Sequence, residues 1–218
     1  MTHTHCNGER PCASTPPTHT QADAAPVLEA LRDFFAATEA EGLASAYARL
    51  AACGAAPPEP PDWREAEYAF NRLFVGPGAL VAPPYSSIYL DAEPRLQGQA
   101  TERVRAVHEL LGVSPALANG PEDHLCVELD TALLLRARQK ADPANAHLAL
   151  LRRYFVAGHM AAWVPKFADR VLRDPACPAV IGFAVRRLEQ WLADETADTT
   201  PYEQMDQIPQ PATGGEGA

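Results

Sequence analysis

Apolar residues recur at helical spacing along most of the chain. Leu28, Leu31 and Phe35 stand at i, i+3 and i+7 with Phe34 widening the stripe, and Leu43, Tyr47 and Leu50 repeat the rhythm up to Gly54. The proline-rich run at 55–61 is a stiff linker that can hold no helix interior. Asp62 is a good N-cap, with Glu65 three residues later as in a capping box. Trp63, Ala66, Phe70, Leu73 and Phe74 form the next stripe, and Gly76-Pro77 stops it. From Leu80 to Arg95 the pattern is irregular, and an irregular loop of that length is often functional. Thr101 is then expected to cap a helix carrying Val104, Val107 and Leu111, closed by Gly112. The following helix is expected to begin near Pro121 or Glu122. That would put Glu122 and Asp123 in its first turn, where the positive dipole end favours acids. Its stripe is Leu125, Leu129, Ala132 and Leu133. Asp142-Pro143 is expected to open the next helix, through Leu148, Leu151, Phe155 and His159, with Pro165 bending or restarting it toward Phe167, Val171 and Leu172. Val180, Ile181, Ala184, Leu188 and Trp191 make the last. No period-two alternation and no internal repeat appears. The fold class is therefore all-α: one helical bundle of about eight helices over residues 25–196.

Composition adds the flanks. Residues 1–24 and 197–218 lack large apolar side chains almost entirely, so both are expected to be disordered tails. The first holds His3, His5, Cys6, Cys12 and His19, but at no standard metal-site spacing, and no metal is expected. Apolar residues make up 47% of the chain, enough for a sizeable core. Acidic residues number 28 against 18 basic, a net charge of −10, which argues against nucleic acid and weakly favours a cationic partner. The polar start carries no secretory signal, and no run approaches the ~18 apolar residues of a spanning helix, so no membrane insertion is expected. Five scattered cysteines without a CxxC pair fit a reducing cytoplasm.

Three stretches carry candidate chemistry. Asp123, His124 and Glu128 can be read as an acid/base group or metal ligands of a small-molecule enzyme. Read as structure, the same residues are an acidic helix start with His124 bonded to a loop. Phe70, Leu73 and Phe74 are either a buried helix face or, with Pro83, Pro84 and Tyr85, an apolar surface. His159 and Trp163, four residues apart, read as a packed and hydrogen-bonded pair. No phosphate-binding loop or dinucleotide fingerprint is present, and no cofactor is expected.

Residues 67–78 (EYAFNRLFVGPG), 82–90 (APPYSSIYL) and 121–125 (PEDHL) resemble, in that order, the TorD/DmsD family of redox-enzyme maturation chaperones. The segment from His159 to Phe167 is similar to that family's late HxxxW-P-x-F word. The resemblance spans roughly Asp62 to Leu192. It departs at Ser86, where a glutamate often follows the APPY word, and it leaves Glu128 without an identified partner. It implies a TorD-like helical fold and a cytoplasmic, cofactor-independent chaperone that is not an enzyme. Such a chaperone binds the twin-arginine leader and the apo-form of a molybdopterin-containing oxidoreductase and holds it for cofactor insertion before export. The implied partners are that leader, the catalytic subunit and the cofactor-insertion machinery. The oligomeric state is open between a monomer and a domain-swapped dimer. The implied leader-binding residues are Phe70, Leu73, Phe74, Pro83, Pro84, Tyr85, Asp123 and His124, with Asp123 engaging an arginine guanidinium. Alternatives are a helical interaction module, or an assembly chaperone for a nitrate-reductase-type client without a cleaved leader.

Overall fold

In a computed structural model of the chain, residues 24–54, 56–59, 62–93, 96–114 and 121–197 are described. The expected tails, with the histidines and cysteines of the first, lie outside these residues apart from Ala24 and Ala197. The helices are α1 (Ala25–Ala36), α2 (Ala40–Ala52), α3 (Trp63–Phe70), α4 (Ser87–Leu90), α5 (Gln99–Leu111), α6 (Leu125–Ala141), α7 (Ala146–Arg153), α8 (Ala161–Leu172) and α9 (Ala179–Ala197). A π turn, Asn71–Val75, prolongs α3, and a π stretch, Tyr154–Met160, joins α7 to α8 in one continuous rod. The all-α expectation holds: among the described residues strand-like pairing is limited to one bridge, Tyr85 with His124.

The caps explain where several helices start and stop. Asp62 accepts from Arg64 N at 2.8 Å, as an N-cap should. Gly112 takes the left-handed conformation (φ 62°) that closes α5, and Gly76 (φ 107°) ends the π turn after α3. Three expected starts move. α5 begins at Gln99, because Asp91 reaches back from the loop to take Ala100 N at 3.0 Å, and Thr101 is buried inside the helix. α7 begins at Ala146, capped by Asn145 through Leu148 N, because Asp142 and Pro143 are used in the turn before it. α6 begins at Leu125 with His124 as N-cap, so Asp123 precedes the helix. Pro165 lies inside α8; the irregularity falls upstream, in the π stretch that ends at Met160.

The core is continuous. α1 lies against both α2 and α6, and α8 lies against α9. Phe34, Phe35, Phe70, Phe74 and Phe167 interlock mostly edge to face, with ring centroids 4.9 Å apart for Phe70–Phe74 and 5.9 Å for Phe35–Phe167. α6 is sunk deepest at its start. Leu125, Cys126, Val127, Glu128 and Leu129 are all buried in succession, so its first turns face protein on every side. Glu195, near the end of α9, sits between Arg136 of α6 (2.8 Å) and Arg152 of α7 with its side chain 5% exposed. No helix among the described residues is long and apolar enough to cross a membrane.

Candidate functional site

The loop after the α3 π turn and the turn before α6 are joined by backbone bonds. Pro83 and Pro84 carry no backbone N–H, so at these positions the loop can pair with a partner only through its carbonyls. Leu125 N donates to Pro84 O at 2.8 Å and Ser86 N to Asp123 O at 3.0 Å. Between these bonds Tyr85 pairs antiparallel with His124, their rings edge to face at 5.0 Å. Residues almost forty positions apart thus form one local unit. A second tether, Ala82 N to Leu73 O at 3.1 Å, fixes the loop to the end of the α3 rod.

Asp123, expected in the first turn of a helix and implied to engage an arginine, is 0% exposed. Its backbone is paired with Ser86, and its Oδ2 accepts from Ser87 N at 3.0 Å, at the start of α4. Its Oδ1, with the buried hydroxyls of Ser86 and Ser87, has no hydrogen-bond partner among the described residues. Glu122 turns instead to α5, where Arg105 holds it at 3.0 and 3.3 Å and keeps its carboxyl below the usual range. His124 is half-buried. Its Nδ1 accepts from Cys126 N at 3.2 Å and lies 2.9 Å from Cys126 Sγ. Burial holds the imidazole pKa down to about 4 and pushes the Cys126 thiol up to about 11. Burial likewise raises the Tyr85 hydroxyl.

The three groups of the enzyme reading do not converge. Asp123 faces Ser87 and His124 faces Cys126. Glu128, 0% exposed, accepts from His159 Nε2 at 2.8 Å and from Trp163 Nε1 at 2.9 Å. Phe155 stacks on His159 at 5.5 Å. The partner missing from the sequence reading of Glu128 is therefore the His159–Trp163 pair, and the three together pin α6 to the π stretch and α8. Among the described residues no three His, Cys, Asp or Glu side chains are grouped as a metal ion would need.

The apolar candidates separate by depth. Phe70, Leu73 and Phe74 are 2%, 0% and 4% exposed, so in this structure all three are core rather than an open groove. The reason is the crossing of α1 and α8 over that face, where Phe34, Phe35 and Phe167 cover it. The outer face of the same rod shows Tyr68 (67% exposed) and Val75 (62%) instead. Pro84 is also buried, whereas Pro83, Tyr85 and His124 are partly exposed. Sequence reasoning missed Ser87 and Cys126 as partners of the site. The only signal was their adjacency to the two words, since both contacts depend on how the loops meet.

The family described as the nitrate reductase delta subunit matches residues 19–169. The Tat proofreading chaperone DmsD of Salmonella typhi is 34% identical over 129 residues, covering 57% of this chain and 59% of that protein. The chaperone protein TorD of Psychrobacter sp. (strain PRwf-1) is 28% identical over 129 residues, covering 56% and 58%. The matches thus span about three-fifths of these relatives' length. A solved structure of a candidate redox enzyme maturation protein from Archaeoglobus fulgidus superposes with a TM-score of 0.53 at 17% identity, over 81% of this chain and 98% of that one. At that identity it speaks to the fold alone, which it shares. The names of the relatives bear out the resemblance to the TorD/DmsD family.

Proposed function

This chain belongs to the family described as the nitrate reductase delta subunit, and from that premise we propose that it is a cytoplasmic maturation chaperone for a molybdopterin-containing oxidoreductase. It binds the twin-arginine leader and apo-form of the catalytic subunit and releases them once the cofactor is in place. The observation that carries this reading is the bridge between Tyr85 and His124. It gathers the two loop words into one partly exposed unit, with Asp123 Oδ1, unpartnered among the described residues, next to it in sequence. Pro83, Tyr85 and His124 supply the direct contact. Pro84, Phe70, Leu73 and Phe74 hold that surface from within. Asp123 takes a leader arginine once the loop yields, because a guanidinium donates in a planar fork that a carboxylate oxygen accepts.

The family's description favours a second reading, an assembly chaperone for a nitrate-reductase-type client without a cleaved leader. Co-purification from the native host, with identification of the bound chain, separates the two. The first expects a catalytic subunit with a twin-arginine leader, and deleting that leader weakens capture. Undiminished capture of the leader-deleted subunit supports the second. A host pull-down that recovers no oxidoreductase subunit sinks both.

A further inference from the structure

Resting on the leader-binding reading above, we propose that Cys126 is a positioning residue that sets the hydrogen-bonding polarity of His124. It holds Nδ1 as an acceptor, so that Nε2 carries the proton and donates to a backbone carbonyl oxygen of the bound peptide.

The inference starts from what each atom can do. A backbone N–H only donates, so the 3.2 Å contact from Cys126 N requires a lone pair on His124 Nδ1. The Cys126 sulfur, 2.9 Å from the same nitrogen, brings a second donor, its S–H. A ring nitrogen that faces two donors does not carry a proton of its own. In a neutral imidazole the proton is then on Nε2. Burial keeps both members of the pair neutral, with the imidazole lowered to about 4 and the thiol raised to about 11, so proton transfer from sulfur to ring is disfavoured.

Nε2 has no hydrogen-bond partner among the described residues, and His124 is only half-buried. The bridge with Tyr85 fixes the ring's position, and both flanking backbone bonds are already used by Pro84, Leu125, Ser86 and Asp123. What remains at the surface is one fixed N–H. A guanidinium has donors and no acceptor, so this N–H cannot read an arginine side chain. It fits the main-chain carbonyls that any extended peptide offers. Carboxylate and imidazole, adjacent in sequence, therefore divide the work: Asp123 accepts from a side chain, and His124 donates to the backbone.

Two measurements test this on the full chain. Long-range nitrogen–proton spectra of His124 near neutral pH, without peptide, should show the Nε2–H tautomer. An Nδ1–H tautomer or an imidazolium there overturns the proposal. Titration with a synthetic twin-arginine leader should then show Cys126→Ser close to wild type, because serine restores the donor. Cys126→Ala keeps the backbone N–H but loses the thiol donor, and should bind about three- to tenfold more weakly, the loss of one neutral hydrogen bond's influence on the ring. His124→Gln, whose amide N–H can stand where Nε2–H stood, should bind better than His124→Met, which is uncharged and has no donor. Equal affinity for wild type and Cys126→Ala overturns the proposal while the leader reading stands. If wild type fails to bind the leader but shows the Nε2–H tautomer, the leader reading falls and the link between Cys126 and the ring stands.

Discussion

At the scale of single residues, burial decides what each polar side chain is for. Glu128 has both oxygens occupied in the interior, by His159 and Trp163. Glu128→Ala would leave two buried donors unpaired and should cost about 2–5 kcal/mol of stability. Glu128→Gln should recover part of that loss, since its carbonyl can still accept from Trp163. Urea unfolding of the two variants checks this, and equal midpoints for Ala and wild type would contradict it. His124 makes stability depend on pH. Its folded pKa, about 4, lies below the ordinary value of about 6.5, so between those values the unfolded chain binds more protons. Its contribution is present in full above about pH 6.5 and is lost as pH falls toward 4, on the order of 2–3 kcal/mol at the low end. Buried His108, lowered in the same way, acts with the same sign. Unfolding midpoints measured near neutral pH and at about pH 4.5 should differ more for wild type than for His124→Gln. That comparison separates the imidazole from carboxylates such as Glu122, which Arg105 holds low.

At the scale of elements, contacts made far along the chain move helix ends away from where local signals put them. Asp123 looked like a first-turn acid, yet Ser86 and Ser87 pull its backbone and carboxylate into a loop-to-loop contact and α6 starts two residues later. Near the other end of the chain, α9 runs on to Ala197, and Glu195 in its last turn is clamped by Arg136 and Arg152. Because Glu195 ties α9 to α6 and α7, Glu195→Ala should lower stability by about 1–3 kcal/mol, the range of hydrogen bonds to charged groups. Asp194→Ala, whose residue is exposed, is the control. Thermal melts of the two should separate clearly, and identical melts would make the clamp energetically neutral.

At the scale of the molecule, the chain carries a net charge of −10 and a site proposed to take a basic peptide. Long-range attraction of that kind is screened by salt, over about 10 Å at 0.1 M. Leader affinity should therefore weaken severalfold between about 50 mM and 500 mM salt, mostly through a slower association rate. An association rate unchanged over that range would leave the peptide's capture to local contacts alone.

Helix content, the all-α class and the two loop words were legible along the chain, because periodicity, caps and proline positions are local properties. Asp62, Gly76 and Gly112 act where their chemistry places them. Depth was not legible. A face of large apolar residues looks the same whether another helix covers it or not, and only the crossing of α1 and α8 made Phe70, Leu73 and Phe74 core. Partners across long separations were also hidden. Glu128 meets side chains 31 and 35 residues away, and Ser87 meets Asp123 at a separation of 36. No spacing rule joins such positions. The packing of α6 among its neighbours chose those partners, because a carboxylate sunk there must be satisfied by whatever donors the surrounding helices present.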